Sequence, residues 1–476
     1  MSRIVLRPSV GASMLGGSIT LPPQPCTHEP ARPVSPWTGV DGTTGTVAVV
    51  GAGKMGLPLA AQFATHGWNV IAVDVNPAVV EAINAGRSHV GEEPGLAEMV
   101  ADVHAQGRLS ATLDAAEASR QADVVVLIVP VMLDDQHQPD YRYMDPAVDS
   151  IAPGIHAGST VIFETTLPIG DTRKRFAPRL EQVSGLVAGK DFHVAFSPER
   201  LFSGAVLANL AAYPKLVGGT VPASTDRAAA FYASVLDAEV VAMSSSEAAE
   251  FSKLADTTYR DVNIGLANEF ARAADMHGID VTEVIAAANS QPYSHIHMPG
   301  IGVGGHCIPV YPHLLLARAP GLRIIETARQ VNDGQTDRAL GAIASLLGGL
   351  SGAPVLVLGL TYREGVKELA YSRAIPLVHD LVAAGADVSA YDPLMTPAEI
   401  EALGAKSWAW GESGPFRAIV TQTGDKAFLA LDAAWFPDLA VVYDGRNSLR
   451  TLALPDGVAY LGVGVQAQTR VRGGAV

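Results

Sequence analysis

The chain has 476 residues, of which 48% are hydrophobic and 17% charged, and its formal net charge is −15. This length predicts two or three domains and excludes a single small module. The negative charge argues against nucleic acid and anionic membranes as partners, so an anionic ligand would need a locally basic pocket. Two cysteines, Cys26 and Cys307, exclude a disulfide framework and a cysteine-based metal cluster. We therefore expect a reducing, cytoplasmic location and no metal site.

The N-terminal stretch is rich in Pro, Gly, Ser and Thr and lacks the apolar core of a signal peptide. We interpret residues 1–45 as a flexible N-terminal extension. The longest apolar run, at residues 124–133, is far shorter than the roughly 20 residues needed to cross a bilayer. It is typical of a buried strand, and we expect no membrane partner.

A glycine-rich turn follows the first predicted strand. The run Thr46–Val50 leads into Gly-Ala-Gly-Lys-Met-Gly at residues 51–56, a helical pattern covers residues 57–66, and a second strand at residues 70–73 ends in Asp74. In this context the glycines permit a tight turn and the close approach of a pyrophosphate, whose charge the helix N-terminus favours. The acid would accept the ribose hydroxyls and repel a 2′-phosphate, which predicts NAD rather than NADP.

Further strand-like segments predict a doubly wound, mostly parallel sheet. They are residues 122–130, 159–164 and 192–196. Ligands of such sheets bind beyond the carboxyl ends of the strands, so the residues that follow are candidates for chemistry. Polar residues follow two of these strands, in Glu-Thr-Thr-Leu-Pro at 164–168 and in Ser-Pro-Glu-Arg-Leu at 197–201. Each of them, taken singly, is equally compatible with a helix cap.

A glycine-dense loop, Gly-Val-Gly-Gly-His-Cys at residues 302–307, ends in a cysteine. A thiol that attacks a carbon atom needs a close backbone and no bulky neighbours, and glycine supplies both. We interpret Cys307 as a nucleophile. The alternative is a buried structural cysteine, because a free cysteine behaves as a small apolar residue.

A long helical pattern runs from Ser246 to about His277 and is long enough to bridge two domains. Lys253 and Thr257 are four residues apart and so share a face of this helix. Taken alone, a helix lysine is usually a solvated charge.

The C-terminal part predicts a second α/β unit. Residues 354–358 have the pattern of a strand, residues 372–384 that of a helix and residues 386–391 that of another strand. No G-x-G-x-x-G motif occurs there, so this unit suits a nucleotide-diphosphate substrate better than a second NAD.

Together these segments resemble the nucleotide-sugar 6-dehydrogenases, the family of UDP-glucose, UDP-N-acetylmannosamine and UDP-N-acetylglucosamine dehydrogenases. The similar motifs occur in the family's order between about residues 46 and 465. They are the turn at 51–56, Thr-Thr-Leu-Pro at 165–168, Ser-Pro-Glu-Arg at 197–200, the helix around Lys253 with Asn263 and Asn268-Glu269, Gly-Gly-His-Cys at 304–307, Tyr-Asp-Pro at 391–393 and Asp-Gly-Arg-Asn at 444–447. Residues 259–264 and 306–309 look most similar to the branch that acts on N-acetylated sugars.

The resemblance implies an α/β fold with two Rossmann-like doubly wound domains, joined by a long central helix that pairs subunits into a homodimer. We expect an NAD-binding domain at residues 46–243, a central helical region with the cysteine loop at 244–345 and a nucleotide-sugar-binding domain at 346–476. The implied activity is NAD-dependent oxidation of a UDP-sugar, from the C6 alcohol through the aldehyde to the acid. UDP-N-acetylmannosamine or UDP-N-acetylglucosamine is the expected substrate, with UDP-glucose as the alternative.

The resemblance also implies roles for residues. Cys307 would form a thiohemiacetal and then a thioester with the substrate, Lys253 would supply charge to the intermediate oxygens, and Thr166 would orient a water or hydroxyl. Glu199 would assist thioester hydrolysis. The predicted catalytic residues are Cys307, Lys253, Thr166, Glu199 and Thr257. The predicted cofactor-binding residues are Gly51, Gly53, Lys54, Met55, Gly56, Asp74, Pro130 and Thr166. The predicted substrate-binding residues are Glu199, Arg200, Leu201, Lys253, Tyr293, His295, Gly304, Gly305, Arg363 and Arg446, of which the last two are candidates for the phosphates.

The sequence departs from the family pattern in three places. Tyr311 stands where an aspartate is usual, and a phenol with a pKa near 10 is a poor base at neutral pH. Thr257 replaces an asparagine, and Tyr293 and His295 lie where relatives often have an arginine from the neighbouring subunit. The changes at Tyr311 and Thr257 leave open a nucleotide-sugar-binding protein with impaired oxidation. A two-electron hydroxyacid dehydrogenase, which has a similar Rossmann and helix layout but no use for Cys307, is a further interpretation.

Overall fold

The computed structural model describes Trp37 and residues 44–91, 93–200 and 204–469, although not the side chains of residues 466–469. Cys26, Leu201 and most of the predicted N-terminal extension lie outside the described residues. Two open sheets, each covered by helices, are connected by a region made of helices.

The first sheet contains eight strands in the order β10-β9-β8-β7-β4-β1-β2-β3, and all neighbours are parallel except β8 and β9. A separate hairpin, β5-β6, follows β4 in the chain. The strands of this half are β1 (Thr46–Val50), β2 (Asn69–Val73), β3 (Leu109–Thr112), β4 (Val124–Leu127), β5 (Met132–Leu133), β6 (Pro139–Asp140), β7 (Thr160–Phe163), β8 (His193–Phe196), β9 (Lys215–Gly219) and β10 (Val240–Ala242).

Helices cover both faces of this sheet, and alternate residues of its strands are buried in two different cores. Val47 and Val49 of β1 belong to one hydrophobic core, whereas Ala48 and Val50 belong to the other. This double burial is the reason why the strands are apolar throughout. The helices are α1 (Gly56–Thr65), α2 (Pro77–Asn84), α3 (Leu96–Ala105), α4 (Ala115–Gln121), α5 (Met144–Ile151), α6 (Ala177–Ser184), α7 (Val206–Ala212) and α8 (Pro222–Val235), with a 3₁₀ turn at Ala152–Gly154 and a π turn at Thr172–Phe176.

The long central helix begins and ends with favourable capping residues. The Ser245 side chain accepts a hydrogen bond from the backbone N–H of Ala248, and Gly278 ends the helix in the left-handed conformation with a φ of 72°. The helices of this region are α9 (Ser246–His277), α10 (Val281–Ala288), α11 (Tyr311–Leu316), α12 (Arg323–Asp333) and α13 (Gln335–Leu347).

The second sheet has the order β13-β12-β11-β14-β15-β16-β17, and it is parallel except for the last pair. Its central strand again divides its side chains between two cores, with Val355 and Val357 in one and Leu356 and Leu358 in the other. The elements are β11 (Pro354–Leu358), α14 (Ala374–Ala383), β12 (Asp387–Tyr391), α15 (Pro397–Glu401), β13 (Lys406–Ser407), β14 (Ala418–Thr421), β15 (Val441–Asp444), β16 (Ala459–Gly462) and β17 (Val465–Thr469), with 3₁₀ turns at Lys426–Ala430 and Ala433–Trp435.

The predicted fold of two doubly wound α/β units joined by a long helix is confirmed. The strand predicted at residues 122–130 is shorter, Val124–Leu127. The Ile128 N–H makes a last hydrogen bond to the Val50 carbonyl of β1, and the Val129 carbonyl then accepts one from the Thr165 hydroxyl instead of from a strand. The limits given above for the three parts stay predictions. In the described part of the chain, no helix is both long and apolar enough to cross a membrane.

Candidate active site between the two sheets

The glycine turn lies between β1 and α1. Gly51 has a φ of +96°, and a Cβ on Gly56 would lie 1.8 Å from the Gly51 carbonyl oxygen, so the fold itself requires glycine at both positions. A Cβ on Gly53, in contrast, would have no atom of the described chain within 4 Å. The open space above Gly53 is therefore available to a ligand that approaches the backbone.

Asp74, at the end of β2, is fixed next to this turn. Its carboxylate accepts hydrogen bonds from the backbone N–H of Ala52 at 3.0 Å and from that of Asn76 at 2.9 Å. The strand end, the glycine turn and the acid thus form one rigid unit with the arrangement that a dinucleotide requires.

A cleft of about 370 Å³ opens where this unit, α9 and the cysteine loop meet. Its lining comes from all three parts of the chain. It consists of Gly53, Lys54, Met55, Gly56, Ile128, Pro130, Val131, Met132, Thr165, Thr166, Glu199, Lys253, His306, Cys307, Tyr311 and Tyr362. Every predicted catalytic residue except Thr257 is in this lining, and so is every predicted cofactor residue except Gly51 and Asp74.

The cysteine loop presents Cys307 at the wall of the cleft. Gly305 has a φ of +91°, and a Cβ on Gly304 or Gly305 would lie 2.9 Å or 3.0 Å from the Tyr362 side chain. The two glycines therefore let the loop pack directly against Tyr362 of the C-terminal unit. Cys307 is half-buried, and its Sγ lies 3.6 Å from the hydroxyl of Tyr311, with which α11 begins.

Lys253 projects from α9 toward the thiol and is only 7% exposed. Burial lowers the pKa of Lys253, whereas the neighbouring Cys307 and Glu199 act in the opposite direction. Its Nζ is 5.6 Å from the centroid of the Tyr311 ring. This lysine is thus a buried group in the cleft and not the solvated charge that is usual for a helix lysine.

Tyr311 remains a protonated phenol. Burial raises the pKa of Tyr311 well above its usual value, and the interaction with Cys307 raises it further, while a hydrogen bond with Thr166 acts against both. Thr166 itself is buried next to Thr165, whose hydroxyl holds the Val129 carbonyl at 2.7 Å.

The two predicted phosphate-binding arginines are on the C-terminal unit. Arg446 donates to the Gln422 carbonyl at 2.8 Å and to the Gly302 carbonyl at 3.1 Å, so it ties the cysteine loop to the second sheet. Burial lowers the pKa of Arg446. Arg363 follows Tyr362, and its guanidinium carbon is 5.6 Å from the centroid of that ring.

Several predicted site residues lie outside the cleft lining. Thr257 is buried one turn after Lys253 on α9, and its hydroxyl has no hydrogen-bond partner among the described residues. Arg200 donates to the Pro214 carbonyl at 3.4 Å, and Tyr293 and His295 are exposed on the outer surface. Their predicted roles are not tested by this arrangement, and Leu201 lies outside the described residues.

The structure adds two residues that the sequence patterns missed, Tyr362 and Glu368. Tyr362 lies three residues beyond the glycine that ends β11, a position that follows a parallel strand and was therefore open to prediction. Glu368 had no such signal. Its Oε2 lies 3.8 Å from Lys54 Nζ and 3.7 Å from His306 Nε2, so it joins the glycine turn and the cysteine loop to the C-terminal unit.

Models of the UDP-glucose/GDP-mannose dehydrogenase family match three parts of the chain. The NAD binding domain matches residues 45–236, the central domain residues 247–334 and the UDP binding domain residues 356–451. A UDP-N-acetyl-D-mannosamine dehydrogenase of Pyrococcus horikoshii is 34% identical over 354 residues, which are 73% of this chain and 83% of that protein. An NDP-N-acetyl-D-galactosaminuronic acid dehydrogenase of Ralstonia nicotianae is 34% identical over 344 residues, which are 71% of this chain and 80% of that protein.

A solved structure gives the same result. The structure of UDP-D-ManNAc dehydrogenase from Pyrococcus horikoshii is similar to this one, with a TM-score of 0.79 and 32% sequence identity. The similarity covers 88% of this chain and 99% of the Pyrococcus chain. These similarities confirm the predicted family, its N-acetylhexosamine branch and NAD as the cofactor. The chain belongs to the UDP-glucose/GDP-mannose dehydrogenase family and is an NAD-dependent UDP-sugar dehydrogenase.

Proposed function

We propose that the protein oxidises the C6 alcohol of UDP-N-acetylmannosamine or UDP-N-acetylglucosamine to the acid, through a thioester on Cys307. The observation that carries this proposal is the shared cleft, in which Cys307 and Lys253 face the glycine turn. Relatives that act on N-acetylated nucleotide sugars support the substrate class. UDP-glucose stays the alternative substrate.

The glycine turn and Asp74 suit NAD. The open space at Gly53 accommodates a pyrophosphate against the backbone, and the fixed carboxylate of Asp74 is in place for the ribose hydroxyls. When bound, NAD accepts the hydride that leaves C6 in each of the two oxidations. Thr166 and Pro130 line the cleft beside the turn and would limit the position of the nicotinamide.

Cys307 is the nucleophile of the second oxidation. Its thiolate adds to the aldehyde carbon, the thiohemiacetal loses a hydride to become the thioester, and water releases the acid and the thiol. The positive charge of Lys253 stabilises the oxygen that becomes negative when the thiolate adds. Tyr311, which stays protonated, acts as a hydrogen-bond donor to the sulfur or that oxygen and not as the base that the usual aspartate would be.

Glu199 is suited to the hydrolysis step. Its carboxylate lines the cleft together with Lys253 and Cys307, where it would hold and deprotonate the attacking water. Arg446 and Arg363 would bind the phosphates of the substrate. Tyr362, which lines the cleft, has its aromatic ring near the Arg363 guanidinium.

We also propose a homodimer in which α9 pairs with its copy. Three apolar side chains on one side of this helix are strongly exposed in the single chain, Phe251 by 47%, Tyr259 by 54% and Leu266 by 47%. Lys253 lies on the opposite, buried side, so pairing would leave the cleft in place. The cytoplasmic location and the limits of the three domains stay predictions.

The yield of NADH at completion tests the proposed function. Limiting UDP-N-acetylmannosamine, UDP-N-acetylglucosamine and UDP-glucose are offered separately, with excess NAD, to the wild type and to Cys307→Ser. We expect two NADH per sugar from an N-acetylated substrate and a rate at least about 1,000-fold lower in the variant. One NADH per substrate at a rate independent of Cys307 would indicate a two-electron dehydrogenase, and none from any sugar would favour a binding protein.

A further inference from the structure

A buried network lies behind Glu199, on the side away from the cleft. Glu164 is fully buried at the carboxyl end of β7. One of its oxygens accepts a hydrogen bond from Lys215 Nζ at 2.8 Å, and the other accepts one from the hydroxyl of Tyr232. The lysine nitrogen also lies 4.7 Å from the centroid of the Tyr232 ring. None of these three side chains is in the described lining of the cleft.

Glu199 lies between this network and the cleft. It lines the cleft together with Lys253, and it lines a small cavity of about 10 Å³ together with Lys215. Its backbone N–H donates to the Glu164 carbonyl at 3.1 Å, so the strand ends that carry the two glutamates are tied together. Glu199 therefore has one lysine on each side, and only one of them, Lys253, faces the reacting atoms.

We propose that Glu164 is a positioning residue that holds Lys215 away from Glu199, so that the Glu199 carboxylate serves the cleft. A buried ammonium group needs a carboxylate partner, because an unpaired charge in such surroundings is costly. Glu164 meets this need from the carboxyl end of β7, where Tyr232 and Lys215 complete its own hydrogen bonds. The inference rests on the role proposed above for Glu199.

Glu164→Gln retains the shape of the side chain and removes the charge that holds Lys215. We expect the released lysine to pair with Glu199 and slow the hydrolysis of the thioester, whereas both oxidations precede this step and continue. Stopped-flow measurement should then give a burst of about two NADH per active site and a steady-state kcat about 100-fold lower. Because the thioester accumulates, KM for the UDP-sugar should fall with kcat and leave kcat/KM close to that of the wild type.

Two further variants separate this role from simple damage to the core. Glu164→Gln/Lys215→Met also removes the released cation, and we expect kcat to return to within about fivefold of the wild type. Lys215→Met alone removes the cation that would compete for Glu199 and should show no burst. A merely structural role predicts the opposite, namely that the second substitution adds to the damage and that kcat/KM falls. A double variant as slow as Glu164→Gln would overturn the proposal, as would a Lys215→Met variant with the same burst.

The wild type, assayed in parallel with the same UDP-sugars, separates a failure of the proposed function from a failure of the role of Glu164. No NADH from the wild type would contradict the proposed function itself. The function would stand if the wild type gives two NADH per sugar. The role of Glu164 would be overturned if, in addition, Glu164→Gln shows a decreased kcat/KM and no burst. Thermal melting of each variant by circular dichroism checks that it is folded. If Glu164→Gln does not fold, Lys215→Met still decides, because a burst in that variant contradicts the proposal.

Discussion

Of the lysines in the described lining of the cleft, only Lys253 is buried. Its surroundings determine the pH at which it loses its charge. Burial favours the neutral amine, and Cys307 and Glu199 favour the charged ammonium group. The result is a pKa below the ordinary lysine value of about 10.4. A lysine in this state loses its charge at a lower pH than a surface lysine does.

The pH profile of kcat tests this. Lys253 loses its charge as the pH rises through its lowered pKa. We therefore expect kcat to decline at a pH lower than that at which an ordinary lysine titrates. Lys253→Arg should move this alkaline limb upward, because a guanidinium stays charged to a pH above about 12, even though kcat itself decreases. An alkaline limb at the same pH in Lys253→Arg would show that another group is responsible. Lys190→Arg, the same change at an exposed lysine outside the described lining of the cleft, is the matched control.

At the scale of the elements, the glycines of the turn at residues 51–56 differ in the reason for which a side chain is excluded. Gly56 is needed because the backbone of Gly51 fills the space of a side chain, whereas Gly53 has free space above it. The same three-glycine motif therefore contains a position that the fold requires, Gly56, and a position that is open to a ligand, Gly53.

Substitution by alanine should distinguish these two glycines. We expect Gly53→Ala to fold with a thermal midpoint like that of the wild type and to raise KM for NAD by about tenfold or more, because the methyl group enters the space for the pyrophosphate. Gly56→Ala should instead lower the midpoint by many degrees, because its methyl group overlaps the Gly51 carbonyl. Circular dichroism and initial-rate kinetics measure both. An unchanged KM for NAD in Gly53→Ala would place the pyrophosphate elsewhere.

How much of this site the sequence predicts depends on how far apart in the chain the partners are. The turn at 51–56, Thr166, Glu199 and Cys307 were identified because each follows a strand or sits in a glycine loop, which are local signals. The partners of Glu164 are 51 and 68 residues away along the chain, and no local pattern connects them. Glu368 was missed for the same reason. Long-range contacts of single polar side chains are fixed by tertiary packing and not by periodicity.

At the scale of the whole molecule, the exposed side of α9 is the surface proposed for pairing of two chains. We expect Leu266→Glu combined with Tyr259→Glu to convert the dimer to a monomer, because two charges would be buried against their copies. Size-exclusion chromatography with light scattering measures the mass. Leu113→Glu is the control, since Leu113 is 55% exposed just after β3, away from α9. A dimer that persists in the double variant would contradict pairing through this helix.

The three parts of the chain meet at one cleft, where the proposed mechanism bonds the substrate to Cys307. The most direct measurement is the mass of the protein after Glu199→Gln is mixed with NAD and the UDP-sugar that the wild type oxidises, and is then quenched in acid. We predict a mass increase equal to the substrate less the hydrogen lost in two oxidations, located on the peptide that contains Cys307 and absent from Glu199→Gln/Cys307→Ser. Formation of two NADH per active site without such an adduct would contradict the account.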